Sequence, residues 1–395
     1  MARVAVVHPD ANAGGGAEAV CAHTVEALSR DNEVTLITWS PPDRAALDTT
    51  FGTHLAGAAF EVAAVAERAG HGLGGSLERR LLLKHALTFR AAQDLAPRFE
   101  AVVSTHGEIA LPLSLRLPTP AVQYIYIPEF SGRIPLQVVT GENRAAPYRL
   151  YRRAATVAGR LLARGSGPAF RRNLTVACSE YSARWMQAAW GIGADVLWPP
   201  VPLAPVPDVP WDERENGIVC IGRLAPAKRV LELIGAVGEA RRRSGVATHL
   251  HVVGEGSGPY ADAVRQACRG SDHATLEGTL SLADLAHLLA HHRFGVHGNA
   301  YEHFGIAIAQ LVRAGCVCFA PNGGGPADTL ADAPSLLYRG VDELAEKLAS
   351  VLRDADLQRQ LLAELRPLKQ RLDQHRFGER MERLVSRCLA AARPG

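Results

Sequence analysis

Short apolar runs alternate with amphipathic stretches along most of the chain, and the alternation is interrupted once. Because each run is apolar at consecutive positions, it predicts a strand buried on both faces, as in a parallel sheet. The predicted strands are Val4–His8, Val34–Thr38, Ala101–Thr105, Ala121–Ile127, Leu174–Cys178, Gly217–Gly222, His249–Gly254, Phe294–His297, Cys316–Ala320 and Ser335–Tyr338. The pattern therefore predicts the α/β class, with two doubly wound, Rossmann-like parallel sheets.

The interruption is the segment Pro199–Pro210, which holds six prolines in twelve residues. Proline at this density cannot continue a helix or a central strand, so the segment predicts an interdomain linker. We expect an N-terminal domain over residues 1–200 and a C-terminal domain over residues 201–375. Residues 376–395 contain the amphipathic stretch Phe377–Leu389, which we expect to form a helix that crosses back to the first domain. Ligands are expected beyond the carboxyl ends of the strands, in a cleft between the domains.

Composition narrows the class of protein. The chain has 395 residues, 47% hydrophobic and 21% charged, which is typical of a packed protein with two cores. A formal net charge of +3 is too small to favour nucleic acid as a partner. The first residues lack the apolar core of a signal peptide, and no apolar run approaches the roughly 18 residues of a membrane-spanning helix. We therefore expect a cytoplasmic protein whose seven scattered cysteines are buried, reduced thiols.

A glycine loop follows the first predicted strand. Gly14, Gly15 and Gly16 are consecutive, and a helical pattern begins near Ala19. Such a loop allows the backbone to approach a ligand at the start of a helix. The full G-x-G-x-x-G pattern is absent, so a simple tight turn is the alternative.

A basic loop, Gly222–Lys228, follows the predicted strand Gly217–Gly222. Arg223 and Lys228 leave the same strand end, and a guanidinium together with an ammonium is suited to holding a diphosphate. A solvated basic turn is the alternative for this loop alone.

The segment Tyr301–Gln310 places the carboxylate of Glu302 in a loop, then Gly305, then a predicted helix. The first N–H groups of a helix have no partner within the helix, and its dipole is positive at this end. We therefore expect an anionic ligand at this helix start, next to Glu302.

These motifs together resemble the retaining GT-B glycosyltransferases of the E-x7-E type, the glycosyl transferases group 1. Their order is most similar to that in the mannosyltransferases that elongate dolichol-linked oligosaccharides. The matching strings are Asn12–Glu18, Val122–Pro128, Val176–Ser182, Val196–Val201, Gly222–Lys228, Glu302–Gln310 and Asn322–Pro326. The resemblance implies a GT-B fold, whose two domains face a cleft, and a UDP- or GDP-linked sugar as co-substrate, without another cofactor.

The resemblance also implies roles for single residues. Arg223 and Lys228 would hold the donor diphosphate and stabilise charge on the departing phosphate, and Glu302 would bind hydroxyls of the donor sugar. Gln310 would meet the ribose. The other residues expected to contact the donor are Gly15, Gly16, Gly222, Gly254, Phe304, Gly305 and Ile306.

Two positions depart from the family pattern. The family has a histidine near the acceptor where this chain has Tyr126, and we expect His106, at another strand end, to supply an imidazole there; a core or surface histidine is the alternative. The second glutamate of E-x7-E is replaced by Gln310, which keeps an acceptor oxygen but loses the charge. This change is compatible with altered nucleotide choice, weaker donor binding or lost activity.

No metal site is expected from the sequence. Asp354-Ala355-Asp356 spells the D-x-D of metal-dependent transferases, but no strand precedes it and a solvated helical face is favoured. The histidines His291 and His292 lack a partner set at ligand spacing along the chain.

Arginines accumulate over residues 144–172, in a stretch without Asp or Glu. With its interspersed apolar residues, this segment predicts an amphipathic surface helix. One interpretation is contact with an anionic membrane or a phosphate-bearing acceptor, which would make the protein peripheral at the inner face of the membrane. The other is a solvated basic face.

The sequence therefore predicts a retaining, metal-independent hexosyltransferase. Its donor is a UDP- or GDP-sugar, and its acceptor is a hydroxyl of a lipid-linked glycan or of a small molecule such as a natural product. One alternative is a nucleotide-sugar 2-epimerase of the same fold. The other is a degenerate homologue that binds nucleotide and regulates a partner, which Gln310 and Tyr126 favour.

Overall fold

The computed structural model describes residues 1–12, 14–68, 81–106, 119–128, 134–135, 137–138 and 173–392. The chain forms two compact units, and it passes between them at Pro200–Val201 and again at His375–Arg376. Among the described residues, none of the helices combines the length and the apolar character that crossing a bilayer would need. All seven cysteines are buried and reduced.

The first unit is built on a parallel sheet of seven strands in the order β3-β2-β1-β4-β5-β6-β7. Its strands are β1 Arg3–Val7, β2 Glu33–Thr38, β3 Glu61–Ala64, β4 Ala101–Ser104, β5 Ala121–Ile125, β6 Leu174–Ala177 and β7 Asp195–Val196. The helices between them are α1 Gly16–Leu28, α2 Arg44–Phe51, α3 Val65–Arg68, α4 Leu81–Leu95 and α5 Glu180–Trp190. The strand order changes direction between β1 and β4, which pair in parallel. In a doubly wound sheet, such a switch point opens a crevice at the carboxyl ends of the two strands.

The second unit repeats this architecture with six strands in the order β10-β9-β8-β11-β12-β13. The strands are β8 Glu215–Ile221, β9 His249–Val253, β10 Ala274–Gly278, β11 His292–Val296, β12 Val317–Pro321 and β13 Leu337–Tyr338. The helices are α6 Val230–Ser244, α7 Pro259–Arg269, α8 Leu282–His291, α9 Ile306–Arg313, α10 Gly324–Thr329, α11 Val341–Arg353 and α12 Ala355–Asp373. Here the order changes direction between β8 and β11.

The last helix, α13 Phe377–Ala392, belongs to the first unit. It packs on α1, β4 and β5, and the ring of Phe377 lies edge-on to that of Tyr124, with centroids 6.1 Å apart. Arg380 donates to the carbonyl of Val196 over 2.9 Å. The apolar face of α13 is therefore buried within the first unit. This explains why an amphipathic sequence follows the second unit along the chain.

All ten predicted strands are present, and the described part of the chain holds three further strands that were not predicted. The three are β3, β7 and β10, and each lies at the edge of its sheet. An edge strand is covered on one side only, so it does not need the continuous apolar run by which the central strands were found.

The proline-rich segment has no regular secondary structure, and its carbonyls accept hydrogen bonds from the second unit. Arg313 donates to the carbonyl of Val201 over 2.7 Å, and Arg214 donates to that of Val209 over 3.1 Å. Proline lacks an N–H, so such a segment offers acceptors and few donors. Donor side chains are therefore what hold it against the second unit.

Candidate functional site

The main candidate site lies in the second unit, at the carboxyl ends of β8 and β11. The loop after β8 carries Lys228 and the loop after β11 carries Glu302, and the two side chains form an ion pair. They are 74 residues apart in sequence. They meet because β8 and β11 are neighbours at the switch point of the sheet, where doubly wound folds bind their ligands.

Three polar side chains surround one oxygen of Glu302. Besides Lys228, Asn299 donates its amide to Oε2 over 3.3 Å, and Nε2 of the buried His297 lies 3.4 Å from the same atom. Burial opposes charge on the carboxyl, but Lys228 and His297 outweigh it and hold the pKa of Glu302 well below its ordinary value. The side chain is 26% exposed. Glu302 is therefore a fixed, partly accessible carboxylate at neutral pH.

Glycines allow the loops around this pair to approach one another. A Cβ on Gly254 would lie 2.1 Å from the carbonyl oxygen of Gly222, and one on Gly298 would lie 2.3 Å from that of Lys228. Both contacts are far inside van der Waals distance, so neither position accepts a side chain without displacing backbone. Gly222 and Gly254 also have φ values of 155° and 136°, which favour glycine. The loops after β8, β9 and β11 therefore pack closely against one another because Gly254 and Gly298 lack a Cβ.

The backbone after Lys228 is strained. Arg229 has φ 53° and ψ 36°, in the left-handed region, and it is the N-cap of α6. A non-glycine residue there costs on the order of 1–2 kcal/mol, and among the described residues only Arg229 does this. Strain of this kind concentrates at ligand sites, and here it immediately follows the residue that pairs with Glu302.

Helix α9 begins beside Glu302. Gly305 is its N-cap with φ 99° and has no side chain to cap it, so the first N–H groups, from Ile306 onward, are available to a ligand. The start of α10 holds the loop before α9, since the N–H of Gly325 donates to the carbonyl of Glu302 over 2.7 Å. Thr329 donates to the carbonyl of the buried Phe304 over 3.0 Å. The helix start is thus fixed in place, and its unpaired N–H groups are of the kind that can bind an anion.

Arg223 lies in the same loop as Lys228 and follows Gly222. Its side chain is exposed and makes no hydrogen bond or ion pair with the part of the chain that the structure describes. A guanidinium of this kind can turn toward a ligand without breaking an existing contact.

Gln310 lies one turn into α9 and is buried. Its side-chain amide donates to the carbonyl of Pro202 over 2.6 Å, so this residue helps to hold the proline-rich segment. A glutamate could not donate here in its ionised form, and its oxygens would face the carbonyl oxygen. The amide at this position therefore has a structural explanation, and its Oε1 is still an acceptor.

A second cluster lies in the first unit, at the carboxyl ends of β1 and β4. Nδ1 of the fully buried His8 lies 3.0 Å from the hydroxyl of Thr105, and its Nε2 lies 3.4 Å from the carboxylate of Glu18. The N–H of Gly15 donates to Glu18 over 2.7 Å. His106, which is half-buried, stands edge-on to His8 with ring centroids 5.0 Å apart.

Charge in this cluster follows from the contacts of His8 with Cys21 and Glu18. Burial would lower the pKa of His8, but Cys21 and Glu18 outweigh it and raise that pKa above its ordinary value. Burial would likewise raise the pKa of Glu18, and its hydrogen bond with His8 lowers it instead. The pair is a buried histidine with a carboxylate partner, and His106 is its more accessible neighbour.

Tyr126 contributes to the same region, because its hydroxyl donates to the carbonyl of Thr105 over 3.2 Å. It thus holds the backbone next to His106. Gly15 and Gly16, at the start of α1, are exposed.

Sequence reasoning missed His8, Glu18, His297 and Asn299. His8 and His297 could have been found, since each is a polar residue at the end of an apolar strand. Glu18 and Asn299 carry no comparable signal, because their role depends on which loops meet. The basic segment 144–172 and the residues just after His106 lie outside the described residues.

Residues 206–365, within the second unit, match the family model described as Glycosyl transferases group 1. No curated protein sequence matches the chain.

Solved structures share the fold along nearly the whole chain. Anabaena HepE, in complex with UDP and glucose, is 15% identical with a TM-score of 0.65, and the match covers 99% of this chain and 100% of that one. Sucrose-phosphate synthase from Thermosynechococcus elongatus is 16% identical with a TM-score of 0.68 and the same coverage. A mutant of S. aureus TarM, in complex with fondaparinux, alpha-GlcNAc-glycerol and UDP, is 12% identical with a TM-score of 0.66, covering 98% of this chain and 100% of that one. The likeness confirms the predicted fold, GT-B with two doubly wound parallel-sheet domains.

The contact between Gln310 and Pro202 can be tested by stability. Gln310→Glu should lower the free energy of unfolding at pH 8 by about 1–3 kcal/mol, because a buried carboxylate would face a carbonyl oxygen. The protonated carboxyl can donate, so the folded state should raise the pKa of this glutamate, and the lost stability should return as the pH falls through that pKa. Urea denaturation at pH 8 and pH 5 measures both effects.

The control is Gln310→Met, which keeps the volume but neither donates nor titrates; its loss should be equal at the two pH values. Wild-type stability of Gln310→Glu at pH 8 would show that the amide does not hold the linker.

Proposed function

We propose that this protein is a retaining, metal-independent glycosyltransferase that moves a hexosyl group from a UDP- or GDP-sugar to an acceptor hydroxyl. The observation that carries the proposal is the constellation at the switch point of the second sheet. A fixed carboxylate, a lysine, an exposed arginine and an uncapped helix start share one edge there, within a domain that matches the glycosyl transferases group 1. HepE and TarM, of the same fold, were solved with UDP, which supports a nucleotide-sugar donor.

In the proposed complex, the second unit binds the donor. Arg223 and Lys228 hold the diphosphate, together with the N–H groups at the start of α9. Lys228 keeps its contact with Glu302, whose second oxygen accepts hydrogen bonds from hydroxyls of the sugar. Gly222, Gly254 and Gly305 allow the backbone to come close to the ligand, and Gln310 uses its free acceptor oxygen toward the ribose.

The chemical step follows from this placement. The bond between the anomeric carbon and the diphosphate oxygen breaks, and a bond to the acceptor oxygen forms on the same face of the sugar. The leaving phosphate takes the proton of the acceptor hydroxyl, so the step needs no protein base. Arg223 and Lys228 stabilise the charge that develops on the phosphate, which is the role a divalent cation has in other transferases.

The first unit is proposed to bind the acceptor, a glycan, lipid-linked or small-molecule hydroxyl compound. His106 is the group expected to face that hydroxyl, and the buried pair of His8 and Glu18 orients it from behind. A cytoplasmic location and peripheral contact with an anionic membrane through residues 144–172 stay predictions from the sequence.

Donor binding can be measured by thermal shift with UDP-, GDP-, ADP- and dTDP-sugars. A ligand at 100 times its dissociation constant stabilises the folded state by about 2.7 kcal/mol, so the UDP- or GDP-sugars should raise the melting temperature. The other two classes should leave it unchanged. If no nucleotide sugar shifts the transition, the proposed donor site does not exist.

Turnover separates this proposal from its alternatives. With the donor identified in that way, nucleotide release should require an acceptor. Conversion of the donor into a second nucleotide sugar without acceptor would favour the 2-epimerase, and binding without consumption under any acceptor would favour the degenerate homologue.

The role of Arg223 can be tested by Arg223→Ala. Loss of a charge that stabilises the transition state typically lowers kcat by about 100-fold to 1,000-fold, and an exposed side chain should leave the melting temperature unchanged. The matched control is Arg242→Ala, which removes an exposed arginine of α6 that pairs within its own helix. Full turnover of Arg223→Ala would exclude it from the reaction.

A further inference from the structure

Three histidines of the second unit meet at the amino ends of the strands. Lys228 and Glu302 lie beyond the carboxyl ends, on the opposite side of the sheet along the strand direction. His249 is the first residue of β9, His251 follows on the same face, and His292 is the first residue of β11. Their ring centroids lie 4.5–5.4 Å apart. His292 has no partners at ligand spacing along the chain, but strand pairing brings His249 and His251 next to it.

The rings meet across a glycine. Strands β9 and β11 lie on either side of β8, so their backbones are roughly 10 Å apart, and Gly217 of β8 is the register partner of His249. A Cβ on Gly217 would lie 2.0 Å from Cδ2 of His292 and 2.7 Å from Nε2 of His249. The absence of a side chain at Gly217 is therefore what brings two imidazoles together over the middle strand.

Two of the three rings are oriented by hydrogen bonds on Nδ1. His292 donates from Nδ1 to the carbonyl of Leu288 over 2.6 Å. Nδ1 of His251 lies 2.7 Å from the carboxylate of Glu277. In the neutral ring, a proton on Nδ1 leaves the lone pair on Nε2, and a carboxylate or carbonyl behind the ring is the usual support of a metal-bound histidine.

The spacing of the nitrogens fits a tetrahedral ion. Nε2 of His249 and Nε2 of His292 are 3.2 Å apart, and two nitrogens bound to zinc at about 2.0–2.1 Å are separated by roughly 3.3 Å. One ligand atom from each of the three histidines falls within a 4.8 Å span. The carboxylate of Glu215 lies 3.5 Å from Nε2 of His249 and can supply a fourth ligand.

We propose that His249, His251 and His292 bind one Zn²⁺ ion that ties β9 to β11 across β8. Imidazole suits Zn²⁺ as well as copper, nickel and iron, and three imidazoles with one carboxylate or water complete the tetrahedral shell that zinc prefers. Because this edge is opposite to the donor site, the ion stabilises the second unit and takes no part in the transfer.

The test uses the full-length protein without a histidine tag, stripped with a chelator and titrated with Zn²⁺ against a chromophoric chelator. Wild type should bind one equivalent tightly, with a rise in melting temperature. His249→Ala should weaken that equivalent by at least about 100-fold, since even a residue behind a ligand is typically worth 10-fold to 100-fold. Glu277→Gln should weaken binding of the same equivalent by about 10-fold to 100-fold. His249 is partly exposed, so its variant should fold.

The control is the double variant His287→Ala with His291→Ala, which removes a pair of neighbouring rings at the end of α8. It should bind Zn²⁺ like wild type. Absence of a tight equivalent in wild type would overturn the proposal, and so would tight binding that survives in His249→Ala or disappears in the double variant. A nucleotide-sugar thermal shift that is the same in the stripped protein would show that the two sites are independent.

Discussion

The ion pair between Lys228 and Glu302 is the interaction on which the proposed site depends. An ammonium and a carboxylate that are both mostly removed from water are costly unless each has a partner. Here each balances the other, and Asn299 and His297 add contacts to the carboxylate. The sheet topology brings the two residues together, because the strand order changes direction between β8 and β11 and so makes these two strands neighbours. A charged pair fixed there in advance can receive a phosphate and a sugar hydroxyl without a large rearrangement.

Close backbone packing is the second constraint, and it explains residues that have no chemistry of their own. Gly254 and Gly298 allow three loops to stack beneath the ion pair, and the left-handed conformation of Arg229 turns the chain directly after Lys228. Gln310 belongs to this framework as well, because its amide holds the carbonyl of Pro202. Gln310 stands where the E-x7-E pattern has its second glutamate. Its amide donates a hydrogen bond that a glutamate carboxylate could not, so it adds an anchor for a linker that offers mostly acceptors.

The sequence was sufficient for the fold and for part of the candidate site in the second unit. Apolar runs identified every central strand, because a strand covered on both faces leaves a continuous signal, and they missed β3, β7 and β10, which are edges. Lys228 and Glu302 were found because they follow strands in recognisable loops. Glu18, Asn299 and the histidines on β9 and β11 were not assigned, because their partners are set by register and by glycines such as Gly217. Spacing along one chain does not contain that information.

The donor site built on Lys228 and Glu302 can be tested by calorimetric titration of UDP and GDP, with uridine and guanosine as references, into wild type and Lys228→Met. A lysine that holds the diphosphate should strengthen binding of the nucleotides far more than binding of the nucleosides. We expect Lys228→Met to weaken binding of the preferred diphosphate at least about tenfold, the equivalent of 1.4 kcal/mol, and to leave binding of the matching nucleoside unchanged. Equal affinity of the two proteins for the diphosphate would contradict a donor site built on Lys228 and Glu302.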